Sequence, residues 1–220
     1  MTPKNKQHLI GLLSSNDSDL AQSGLLLLES FEEEGDELFT PPYLENQRPI
    51  VSFIKGHLLT SEQLQAWCGY PDPRPWTENL ESLSLDGQVR ITDLESVASL
   101  GSLKHLSCAS MIRLSSLDAL HYLPRLTHLN LKRCSSLTSL EGIEQCTLLK
   151  ELVLSGCRKL QNLDFFSQLQ HLETLDLRGT LSVDLTPLLN MPSLKTVKLD
   201  SRRHKQQNII EQLGPKVVIQ

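Results

Sequence analysis

The chain has 220 residues, 39% of them hydrophobic, and no apolar run approaching the ~18 residues that a membrane-spanning helix needs. Its net charge of −5 is unevenly spread: residues 1–78 hold 5 Lys/Arg against 12 Asp/Glu, and residues 79–220 hold 16 against 14. Two regions are therefore expected, an acidic one of 1–78 and a near-neutral one of 79–220, and neither has the strongly basic balance of a nucleic-acid-binding domain.

In chain order, Met1-Thr2-Pro3-Lys4-Asn5-Lys6-Gln7 has no apolar stretch behind its lysines, so a cytoplasmic location is expected. Export without a signal is the alternative. Leu9, Ile10, Leu12 and Leu13 mark a short amphipathic helix, and Leu20, Leu25, Leu27, Leu28 and Phe31 mark a second, so a helical hairpin is expected around Asn16-Asp17-Ser18. The acidic run Glu32-Glu33-Glu34-Gly35-Asp36-Glu37 reads as a solvated loop, or alternatively as a docking element for a basic partner. Thr60 and Gln63 form a capping box for a helix ending near Trp67. Trp67, Tyr70 and Trp76 then cluster among prolines. They are expected to seal the amino-terminal end of the 79–220 region, with a pocket for a proline-rich peptide as the sharper alternative.

From residue 80 the pattern L-x-x-L-x-L returns at Leu80, Leu103, Leu126, Leu149, Leu172 and Leu194, in steps of 23 residues and a final step of 22. A fixed period in this range predicts one short strand per unit, stacked in parallel, because one unit cannot bury its own apolar face. Behind each strand the apolar residues recur every third position, as in Leu137, Leu140, Ile143 and Cys146. That spacing suits a tight 3₁₀-like or irregular return better than an α-helix. Asn208 to Leu213 reads as a short helix ended by Gly214 and Pro215, and Val217-Val218-Ile219 as a closing strand, so a cap is expected at 204–220.

These residues identify the superfamily. The segments Asp93-Leu94-Glu95-Ser96-Val97 and Asp184 to Leu194 resemble the short leucine-rich repeats of bacterial internalins and of the related phosphatase-regulator class. The turn Leu154-Ser155-Gly156-Cys157-Arg158-Lys159-Leu160 is similar to the cysteine-bearing repeats of plant resistance proteins. The resemblance implies an α/β leucine-rich repeat solenoid over roughly 80–200. The helical hairpin resembles the single helical repeat that some bacterial repeat proteins carry in front of such units. At the turn position where such repeats usually hold Asn or Cys, this chain has Gln88, Met111, Cys134, Cys157 and Thr180. Register thus makes Cys108, Cys134, Cys146 and Cys157 buried, reduced core residues, and leaves Cys68 as the accessible thiol.

No glycine pair gives G-x-G, and neither G-x-S-x-G nor H-E-x-x-H occurs, so catalysis is not expected and no cofactor is implied. The strand positions between leucines should form columns on the concave side, about 4.8 Å apart. One column begins Ser82, His105, His128, Glu151; the next holds Asn130, Val153, Asp176 and Lys198; the third holds Lys132, Ser155, Arg178 and Asp200. His105, His128 and Glu151 are suitable zinc ligands by type, but two strand spacings separate the outer pair, so no metal site is expected. Arg113, Lys132, Arg133, Arg158, Lys159, Arg178, Arg202, Arg203 and Lys205 fall in or after the strand-exit turns as a basic rim. Solvated charge, an acidic protein partner, the chain's own 29–37 segment, or nucleic acid, which the lack of interleaved aromatics disfavours, would each suit such a rim.

The function expected from this pattern is a monomeric, non-catalytic protein-interaction module or scaffold. Its partner would contact His105, His128, Asn130, Lys132, Arg133, Glu151, Arg158, Asp176, Arg178, Lys198 and Asp200. A regulatory or targeting subunit of an enzyme supplied by another chain is the alternative, as is a secreted effector.

Overall fold

Leucine burial organises the structure, a computed structural model that describes residues 64, 65, 68, 80–180, 182–201 and 206–219. Seven strands run in chain order as one parallel sheet: β1 (Ser82–Ser84), β2 (His105–Ser107), β3 (His128–Asn130), β4 (Glu151–Val153), β5 (Thr174–Asp176), β6 (Thr196–Leu199) and β7 (Val217–Ile219). Each of the first six begins two residues after the first leucine of its unit. The central residues Leu83, Leu106, Leu129, Leu152, Leu175 and Val197 stand in register across the sheet and are all buried. The expected leucine column is thus present, with a valine completing it.

The returns are 3₁₀ turns at Glu95–Val97, Asp118–Tyr122, Ile143–Gln145, Asp164–Gln168 and Thr186–Asn190. Three residues per turn keeps every third side chain on one side, which is why Leu137, Leu140, Ile143 and Cys146 all point into the core. Gly142 enters its return at φ +99° and lies directly against the Leu117 backbone of the preceding unit, where a β-carbon would overlap the Leu117 carbonyl. After β6, helix α1 (Gln207–Leu213) packs Leu213 into the core, Gly214 turns the chain at φ +57°, and β7 pairs with β6.

Where many such repeats carry an asparagine, Cys134 donates its S–H to the Cys108 carbonyl at 3.1 Å and Cys157 to the Leu131 carbonyl at 3.0 Å. Thr180 donates to the Leu177 carbonyl within its own turn. Thiols thus tie one coil to the previous one. Burial pushes the thiol pKa up to about 12 for Cys134 and Cys146 and to about 11 for Cys157. Cys68 corrects the sequence expectation of an accessible thiol: it is fully buried with Leu64 in the common core, and burial raises its pKa as well. The two stand one helical turn apart, so a helix facing the core with both explains a cysteine that the repeat register did not.

The helical hairpin, the acidic run 32–37 and the Trp67, Tyr70 and Trp76 cluster lie outside the described residues, as do Arg202, Arg203 and Lys205.

Candidate protein-binding surface

Alternation along each strand leaves its first and third residues on the side away from the core, so the sheet register sets which side chains meet there. His105, His128 and Glu151 are directly paired across β2, β3 and β4, as are Ser107, Asn130, Val153 and Asp176 from β2 to β5. The first set is packed tightly. The His105 and His128 rings stack with centroids 4.5 Å apart and planes at 23°. Thr127 Oγ1 lies 2.8 Å from His128 Nδ1. Burial lowers the pKa of His128, and the neighbouring charges of His105 and Lys150 lower it further, against an opposing pull from Glu151. With Ser82, Ser84 and Asn130 these residues line a depression of about 300 Å³ on the open face.

The second set makes the exit turn. Asn130 Oδ1 accepts the Lys132 amide at 3.1 Å while its Nδ2 donates to Ser107 Oγ at 3.0 Å. Asp176 accepts the Arg178 amide at 3.1 Å and the Arg178 guanidinium at 2.9 and 2.6 Å. Asp176 is only 4% exposed. Burial opposes its ionisation, but the hydrogen bonds and charge of Arg178, with the charge of Lys198, outweigh this and hold its carboxyl below the ordinary range. Asp176 and Arg178 are therefore an internal pair more than a free surface. Asp200 accepts the Gly179 amide at 2.6 Å, and Lys198 stands beside Asp176 in the register.

One residue further, the ladder continues through a column of left-handed residues: Gly87, Ser110, Arg133, Gly156 and Gly179, with φ from +60° to +81°. Gly87, Ser110, Arg133 and Gly156 each donate the amide to a carbonyl of the next coil, as Arg133 does to Ser155 at 2.8 Å. Arg133 holds this conformation without being glycine, at a steric cost of about 1–2 kcal/mol, and its side chain is exposed. Lys132, Arg133 and Arg178 come together around Ser155 in a shallow depression of about 280 Å³. Arg158 is exposed one turn further on and lies outside it.

A larger depression of about 670 Å³ lies on the opposite side, where the thin returns leave gaps between coils. Sequence reasoning did not single it out. Asp93, Glu95, Asp118, Glu141 and Glu144 line it with the exposed Tyr122. The signal was the acidic residue in the first turn of three successive returns, Glu95, Asp118 and Glu144, visible in the sequence once the returns are aligned.

The strand register and the buried leucine column decide the architecture. The fold is a leucine-rich repeat solenoid. No family model matches the chain and no curated protein matches it. Among solved structures it is similar to internalin C2 of Listeria monocytogenes, at 20% identity over 73% of each chain with a TM-score of 0.47. It is also similar to a leucine-rich repeat protein of Leptospira interrogans, at 24% identity over 60% of this chain and 38% of that one, with a TM-score of 0.43. A second Listeria monocytogenes internalin, InlF, gives 15% identity over 72% and 68% of the chains and a TM-score of 0.38.

Proposed function

We propose that this solenoid is a non-catalytic protein-interaction module whose partner docks on the open face of β2 to β5 and the adjoining basic turns. One observation carries the reading: His105, His128, Asn130 and Glu151 share one open face on strands fixed by an unbroken parallel ladder, and Lys132 and Arg133 follow directly in the exit turn of β3. A surface ordered during folding loses little further entropy on binding. The acidic 1–78 region and the repeat domain of 79–220, capped at 204–220, act in this reading as a monomeric adaptor. The buried, reduced thiols of Cys108, Cys134, Cys146 and Cys157 support a reducing, cytoplasmic location.

The test is affinity capture with wild-type chain and a His105→Ala, Lys132→Ala, Arg133→Ala variant. Arg178 is kept, because removing it would leave the buried Asp176 carboxylate uncompensated. The variant should unfold at the wild-type temperature within a few degrees and lose its partner. Undiminished capture, with crosslinks confined to residues 1–78, would overturn the proposal.

A further inference from the structure

The exit turns of the inner repeats share one device, and the fourth repeat lacks it. The amide two residues beyond the third residue of an inner strand takes a side-chain acceptor in three repeats: the third and fifth supply it from that third residue itself, and the second borrows Asp86 from the coil before. Ala109 donates to Asp86 Oδ1 at 2.7 Å, Lys132 to Asn130 Oδ1 at 3.1 Å and Arg178 to Asp176 Oδ1 at 3.1 Å. In the fourth repeat the register places Val153 between Asn130 and Asp176, and valine has no acceptor. Among the described residues the Ser155 amide finds none. The Ser155 hydroxyl is likewise buried without a hydrogen-bond partner, in a residue only 7% exposed. Polar groups left unpaired at a buried turn are unfavourable and gain from any acceptor that reaches them.

The surroundings say what would satisfy them. Ser155 lines the 280 Å³ depression with Lys132, Arg133 and Arg178. Arg178 is engaged by Asp176, whereas no ion pair among the described residues involves Lys132 or Arg133, so those two exposed side chains are able to swing aside and then close. Oxygen acceptors at this position in the flanking repeats are a carboxamide and a carboxylate. We propose that the fourth-repeat turn is a receptor for a carboxylate side chain from an acidic segment of the partner protein. One carboxylate oxygen takes the Ser155 amide and hydroxyl, as Asp176 takes the Arg178 amide one repeat away, and the other faces Lys132 and Arg133. This deepens the interaction reading above and rests on it.

The test tracks the amide signals of the ¹⁵N-labelled full chain as a capped tetraglutamate peptide is added. The Ser155 signal should move downfield and saturate, while those of Lys132 and Arg178, already held by Asn130 and Asp176, stay in place. Val153→Asp supplies the acceptor from within the chain. It should show a downfield Ser155 amide without peptide and bind the peptide about tenfold or more weakly, as expected for losing one charge-assisted hydrogen bond. Val153→Ile should bind as wild type. Lys132→Gln should weaken binding and flatten its salt dependence, which keeps the proposal testable if Val153→Asp does not fold. No saturable Ser155 shift, unchanged affinity in Val153→Asp, or a Ser155 shift produced by inorganic phosphate and not by the peptide would each overturn the receptor. Partner capture reads the wider proposal separately. A failed titration with capture lost in the triple variant removes only the receptor, whereas undiminished capture in that variant, which lacks Lys132 and Arg133, removes the wider reading and the receptor with it.

Discussion

Leu152 stands at the middle of β4 with no exposed surface, flanked in register by Leu129 and Leu175. Leu152→Ala should cost roughly 2–5 kcal/mol, read as a lowered urea midpoint. Gly142→Ala should cost a comparable 2–4 kcal/mol or so, from a left-handed φ and from overlap with the Leu117 backbone. Wild-type stability in Gly142→Ala would show that this approach of two returns is loose. The leucines were legible because burial repeats with the period, and a period survives any error in individual side chains. Asp176 was not legible. Alternation places it outward, and only the Arg178 side chain folding back over it makes it an internal group. Cys68 was misjudged for the related reason that burial outside the repeat has no period to announce it.

At the scale of an element, β2 and β3 press two imidazoles together. His128 has a pKa below its ordinary value of about 6.5. The unfolded chain therefore binds a proton at this residue more readily than the folded one. Stability from this group is complete above about pH 6.5 and falls as pH drops through the interval below it. The groups facing the pair are Thr127, Glu151 and Lys150, and of these Glu151 works against the loss. Urea unfolding at pH 7.5 and pH 5.5 should show the wild type losing more stability than His128→Gln. An identical pH dependence would mean that the stack does not resist protonation. The column His105, His128 and Glu151 could be written down from the sequence, but the stack could not: strand spacing fixes the backbones, and ring rotation decides whether two histidines stack or splay. The 3₁₀ returns were legible from their three-residue apolar spacing, while the depression between them depends on how thin neighbouring returns are.

At the scale of the whole molecule, each coil among the described residues packs chiefly on the coils beside it, so stability is close to a sum of repeats and nearest-neighbour interfaces. Binding is expected to sum charges in a similar way. Arg133→Glu and Arg158→Glu should each slow association with an acidic partner, most strongly at low salt, because exposed charges are screened beyond about 10 Å at 0.1 M. Stopped-flow rates at low and at roughly physiological salt, on either side of that screening length, would check this. Rates indifferent to salt would confine recognition to the histidine face. The solenoid itself was readable from six leucine positions. The unsatisfied donors of the fourth exit turn were not readable there, because they are a property of the assembled turns.

The buried thiols give the same molecule a built-in chronometer. Cys68 precedes the first coil, Cys108 sits in the second, Cys134 and Cys146 in the third and Cys157 in the fourth, and all five are buried. A thiol reagent in excess modifies each only while its own stretch is open, so each labelling rate counts local openings. Fraying from the amino-terminal side would mark Cys68 and Cys108 well before Cys157, and fraying from the other side would reverse the order. A mass spectrum taken at intervals would thus record the direction in which the coil unwinds, without any engineered probe.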